Sequence, residues 1–286
     1  MGDIDMASSA AGSAVADPRT GFKSWFHREP TLARFTLGVF ALIPLLLIAA
    51  AIDERTLNGI NIWIKPLKFN VAIVLYLGTL TWYAGWVDTK TRSQRWYRVY
   101  SWILCGTLFL MLPWLYGSAA VGELAHYNRT HPVLAPLYSL MGVVSVVFTT
   151  GALAFALLIA GNKRSTLPAH FKHAVVWSLL ISFFFTVILA GELASMESHW
   201  IGGTESDANG LWPFGWSRDG GDLRVAHFFS LHAMHFIPLA ALLLLPGKLK
   251  AVPRLSAAAI SVVYAGFVLF VYFQAKQAQP FLGWLA

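Results

Sequence analysis

The side chains best suited to chemistry crowd one apolar stretch, residues 222–246, which carries Arg224, His227, His232 and His235 within a run long enough to cross a bilayer. Ionisable groups inside such a helix are costly unless they face a bundle interior or a wet cavity, which makes them functional candidates. At 100° per residue, His227, Arg224, His235 and His232 fall at about 0°, 60°, 80° and 140° and share one broad face. Neutral imidazole binds Zn, Fe or Cu, and carboxylates serve as further ligands or as their orienting partners. The metal-ligand candidates are therefore Glu123, His126, His227, His232 and His235. Glu123 and His126 form an E-x-x-H pair that shares a face if the third apolar run stays helical that far. His227 and His235 lie about 12 Å apart along the axis and cannot easily hold one ion, whereas His232 and His235, at i and i+3, can.

Other groups collect toward the same side. Glu192 ends the fifth apolar run and is a candidate general base, and Arg224 is a candidate anion or oxyanion stabiliser. Lys65 and Lys68 open the second run; they could hold an anionic substrate, bind a lipid phosphate, neutralise Glu123 or Glu192, or simply snorkel. His199 stands in a long loop and is a third substrate-binding candidate. Each of these residues has a purely structural alternative. Pro238 cannot donate to the carbonyl of Met234, which leaves a kink and a spare acceptor beside the histidines. Arg224 could pair with Glu192 or Asp222, while Asn70, Thr149 and Thr150 could line a cavity or join helices.

These residues are positioned by a chain that is 57% hydrophobic and 12% charged over 286 residues, about half the charge of a soluble domain. The mean hydropathy is +0.59. The reading is an all-α integral membrane protein with seven spans at about 32–52, 66–86, 98–121, 134–160, 173–195, 222–246 and 256–278. Residues 1–31 read as a disordered cytosolic tail, with a short interfacial segment around Phe22, Trp25 and Phe26. Residues 32–286 form the membrane domain, whose loop 196–221 is a candidate lid rich in Gly and Trp.

Fourteen of the 21 Lys and Arg residues fall on one side of this arrangement, so the positive-inside rule places the N-terminus in the cytosol and the C-terminus outside. The net charge of +7 belongs to short loops and is no sign of nucleic-acid binding. The single cysteine, Cys105, excludes an intramolecular disulfide and a CxxC metal site.

In helix count and orientation the chain is similar to heliorhodopsins, but Lys276 stands in the last turn of its helix rather than deep inside the bundle. It also resembles, in architecture only, the seven-span hydrolases related to alkaline ceramidases; Ser195-x-x-x-His199 falls at a different point in the helix order. The leading expectation is a metal-dependent enzyme, holding Zn or Fe and acting on a hydrophobic or lipid-derived molecule from a pocket facing outward from a bacterial inner membrane. The alternatives are a proton-linked transporter, a ligand sensor, or an electron-transfer subunit holding haem. Membrane lipid is the expected surrounding partner.

Overall fold

The computed structural model describes residues 22–165, 167–244 and 253–283. Seven helical segments are long and apolar enough to span a membrane: Pro30–Ile52, Ile64–Trp86, Arg95–Ala120, Leu134–Gly161, Ala169–Ser195, Leu223–Leu243 and Leu255–Lys276. They coincide with the seven apolar runs, and the protein is a multi-pass membrane protein.

The helices in chain order are α1 (Phe22–Arg28), α2 (Pro30–Ile52), α3 (Ile64–Tyr83), α4 (Thr89–Ser93), α5 (Arg95–Gly106), α6 (Leu108–Ala120), α7 (Leu134–Gly161), α8 (Ala169–Ser195), α9 (Leu223–Leu244) and α10 (Pro253–Lys276). A 3-10 turn over Ala84–Trp86 extends α3. Helices α5 and α6 form one span interrupted at Thr107, whose hydroxyl donates to the carbonyl of Leu104 at 2.6 Å. Residues 22–28, expected in the tail, are helical: α1 packs on α2 and α3, Ser24 and Glu29 are buried, and Pro30 sits in the first turn of α2 where a missing N–H costs nothing. The remainder of the expected tail, residues 1–21, lies outside the described residues.

Two short hairpins qualify the all-α expectation. Thr56–Leu57 (β1) pairs with Ile60–Asn61 (β2), and Trp200–Ile201 (β3) with Gly221–Asp222 (β4). The first turns through Asn58 and Gly59 at φ +54° and +81°, the left-handed pair that a two-residue hairpin prefers. Both hairpins lie at the end of the bundle reached by the C-termini of α2, α6, α8 and α10, here called the capped end.

The core runs along α3, where Tyr76, Leu77 and Leu80 join Cys105, Phe148, Phe155, Leu179 and Met234 in one cluster. Gly151 lets α7 approach: a Cβ there would lie 2.9 Å from both Tyr76 Oη and Leu80 Cδ1. Tyr76 Oη accepts from the Ala152 amide at 2.9 Å and donates toward the carbonyls of Phe148 and Thr149. A second seam of small residues, Ala174, Ala233, Ala241 and Ala257, brings α8, α9 and α10 together. Asn70 belongs to the packing as well. Its amide donates to Val39 on α2 and its carbonyl accepts from Tyr116 on α6, so it ties three spans.

Candidate functional site

The capped end is closed by loop 196–222, and the loop is folded rather than a slack connector. Besides the β3–β4 ladder it holds a tight turn in which the Leu211 amide donates to Trp216 O at 2.7 Å and the Gly215 amide to Leu211 O at 2.8 Å. Phe214 and Trp216 stack at 4.4 Å, and Trp216 packs against Phe228 and Phe281. The loop is keyed into the first hairpin. Asp207 N and Ser206 Oγ both donate to Asn58 O, at 2.9 and 3.3 Å, and Gly59 leaves no room for a side chain against Ser206 and Ala208.

Arg224 holds this loop to α9. Its Nη2 donates to Asp207 Oδ1 and Asp222 Oδ2, each at 2.7 Å, and to Gly215 O at 2.8 Å, while Nε donates to Asp222 Oδ1 at 3.0 Å. The guanidinium also lies 5.7 Å from the Trp200 ring centre. Of the two structural partners expected for Arg224, Asp222 is found, and Asp207 rather than Glu192 is the second. Burial alone would raise the Asp207 carboxyl, but His199 and Arg224 beside it outweigh that and hold it at about 2. The His199 Nε2–Asp207 Oδ1 separation is 3.9 Å, an ion-pair distance too long for a hydrogen bond.

Beneath the loop, imidazoles and indoles meet. His126 packs on Trp114 at 4.9 Å, on Phe69 at 5.3 Å and on Tyr138 at 5.7 Å; His199 packs on Trp200 at 3.9 Å and on Tyr127 at 5.9 Å. Burial pushes the His126 imidazole well below its usual range, and the nearby Lys65, His227 and His199 push it the same way. Burial also lowers His199, though Asp207 opposes it. Five buried nitrogens here have no hydrogen-bond partner among the described residues: His126 Nδ1, His199 Nε2, His227 Nδ1, Trp114 Nε1 and Trp200 Nε1.

Lys65 joins the group from the first turn of α3. It lies in the field of Arg224, Asp207 and Lys68, and its ammonium makes no hydrogen bond among the described residues. Lys68, one turn on, donates to Phe214 O at 2.7 Å. Neither lysine pairs with Glu123 or Glu192. Three cations, Lys65, Lys68 and Arg224, thus face two carboxylates, Asp207 and Asp222, so the cluster carries a surplus of positive charge.

The structure separates the residues that the sequence had grouped. Glu123 and His126 do not share a helix face, because α6 stops at Ala120 in a Schellman motif. Gly122, at φ +78°, donates to Ala119 O, and the Glu123 amide reaches back to Ser118 O. The Glu123 carboxylate accepts from Asn128 Nδ2 at 3.0 Å instead. Glu192 accepts from Lys276 at 2.9 Å and from Tyr272 at 3.0 Å, both on α10.

His232 and His235 form a unit of their own, with Nδ1 atoms 3.1 Å apart and His235 Nε2 2.8 Å from Thr79 Oγ1 on α3. Among the described residues no three His, Cys, Asp or Glu side chains converge as a metal site. A cleft of about 190 Å³ is found at the opposite end, between Gly85–Lys90 and Asn162–Ser165.

Asp207, Trp114 and Trp200 escape a reading of spacing alone, since each joins the cluster through a fold contact with a distant residue. Asp207 stands in a Gly-rich loop, where an acid reads as solvated. Compared with family models, with curated proteins and with solved structures, the chain has no match in any of the three.

Proposed function

We propose that the protein binds a hydrophobic molecule with an acidic head group at the capped end and performs acid–base chemistry on it. The observation that carries this reading is the Lys65 ammonium, without a hydrogen bond among the described residues and close enough to His126 to act on it, together with His199 and His227, which also act on His126. Each of the three imidazoles has a buried nitrogen without a hydrogen-bond partner among the described residues. Buried polar atoms normally find partners, so a group of five in one place argues for a ligand that supplies them. The surplus positive charge selects an anion, and the surrounding spans and aromatic rings suit an apolar tail.

In this reading Lys65 holds the acidic head, and the imidazoles of His126, His199 and His227 take up or deliver a proton. Arg224 acts as a positioning residue, because its Nε and Nη2 are committed to Asp207, Asp222 and Gly215. Glu192 lies outside the reaction. The bias of basic residues toward the opposite end supports placing the capped end on the non-cytosolic side of a plasma membrane.

Decanoate and decanol differ chiefly in the charged head and make a suitable probe pair. Titrated into protein in nanodiscs, with empty nanodiscs as blank, decanoate should bind saturably and decanol far more weakly. Lys65→Met should weaken decanoate at least tenfold without changing decanol. Equal binding of the two probes, or decanoate binding indifferent to Lys65→Met, would overturn the reading.

A further inference from the structure

The geometry of His232 and His235 points to a second, separate site: we infer that their two Nδ1 atoms chelate one divalent transition-metal ion, Cu(II) first among them, between α9 and α3. This inference does not rest on the reading of the capped end.

Metal–imidazole bonds are about 2.0–2.1 Å long. With the two Nδ1 atoms 3.1 Å apart, an ion at about 2.05 Å from each would see an N–metal–N angle of about 98°. That angle suits square-planar, octahedral and tetrahedral ions, and it rules out the linear arrangement of two-coordinate Cu(I). The pair uses up two positions and leaves the remainder to water or an exogenous ligand. Two imidazoles alone give modest affinity, so the tightest-binding divalent ion of the first row is the expected occupant.

Two features hold the pair in this geometry. His235 Nε2 is fixed by Thr79 Oγ1 at 2.8 Å, the kind of outer partner that orients metal-bound histidines. The His232 ring packs against Phe228 at 4.2 Å. Without metal, one N–H···N hydrogen bond satisfies both Nδ1 atoms. Binding needs both lone pairs, so the proton shared between the Nδ1 atoms moves to an Nε2 position. His235 then donates from Nε2 to Thr79, both rings stay neutral, and no net proton is released. His126 and His227 take no part, since they belong to the cluster beneath the loop.

The test is a Cu(II) titration of untagged protein in detergent, with glycine as a competing chelator, read by electron paramagnetic resonance. One Cu(II) per chain with hyperfine structure from two imidazole nitrogens is expected. His232→Ala and His235→Ala should each abolish that signal, and Thr79→Val should weaken binding roughly tenfold. His126→Ala and His227→Ala should leave it intact. The absence of a saturable Cu(II) signal from folded wild-type protein would overturn the inference, as would a two-nitrogen signal that survives His235→Ala. Because the wild-type arm alone can refute the site, a variant that fails to fold does not shield it.

Discussion

Tyr83 donates its phenol to the carbonyl of Met234 at 2.7 Å, and Met234 is the residue whose carbonyl Pro238 leaves without a helical donor. The carbonyl that Pro238 leaves unpaired within α9 is thus satisfied from α3. One turn away on the same pair of helices, Thr79 meets His235. Two hydroxyls on α3, those of Tyr83 and Thr79, thus meet α9 at Met234 and at His235, and tie the histidine pair to α3. Tyr83→Phe should cost about 1–3 kcal/mol, since it leaves a buried acceptor unpaired. Thermal unfolding in detergent would measure the loss, and an unchanged midpoint would show that the carbonyl finds another donor.

Arg224 is expected to govern the loop more than the spans. Arg224→Gln leaves Asp207 and Asp222, both buried, without their cation, a type of change that typically costs about 3–5 kcal/mol. The damage should be local. Limited proteolysis should open new cleavage between residues 203 and 219 while the helical circular dichroism stays close to wild type. Global unfolding instead would mean that the loop is integral to the bundle.

Acid should loosen the capped end in two steps. The His126 and His199 imidazoles are depressed in the folded protein, so the unfolded segment takes up protons first as pH falls below about 6.5, and stability drops from there. The Asp207 carboxyl, lowered from 3.8 to about 2, contributes stability that is complete above 3.8 and is lost between 3.8 and 2. Hydrogen exchange of residues 196–222 at pH 7.5, 5.5 and 4.5 should show protection falling already in the first interval. His126→Phe with His199→Phe should remove that early fall.

The Glu192–Lys276 pair should matter little. Both side chains are partly exposed, at 25% and 40%, and such pairs contribute about 0–1 kcal/mol. Glu192→Gln should leave decanoate affinity unchanged and shift the unfolding midpoint only slightly. A large loss of affinity would return Glu192 to the site.

The spans were legible because apolar runs of this length have few alternatives in a bilayer, and the i, i+3 spacing brought His232 and His235 together as helical geometry requires. The spare acceptor at Met234 was likewise readable from Pro238; its donor was not, since Tyr83 is 151 residues away in sequence. The E-x-x-H pair failed for a local reason. Gly122 stops α6 before Glu123, and a glycine two residues past a helical run is a terminator that the sequence does display. Lys65 and His199 were legible as polar residues out of place. Their company was not: Asp207 and Trp200 depend on where a 26-residue loop lands, and Trp114 on how the chain past α6 brings His126 back against it.

The interlock between the first hairpin and that loop sets an order of assembly. Asn58 and Ser206 are 148 residues apart, and Lys68 and Phe214 are 146 apart. Contacts of such separation come late, after nearer neighbours have paired. The helices from α2 to α8 are therefore threaded and packed before the lysine–imidazole cluster exists at all. A nascent chain halted short of residue 196 would carry five spans with Lys65 and His126 in them or between them, but without His199, Asp207, Arg224 and His227, so the cluster could not yet be assembled.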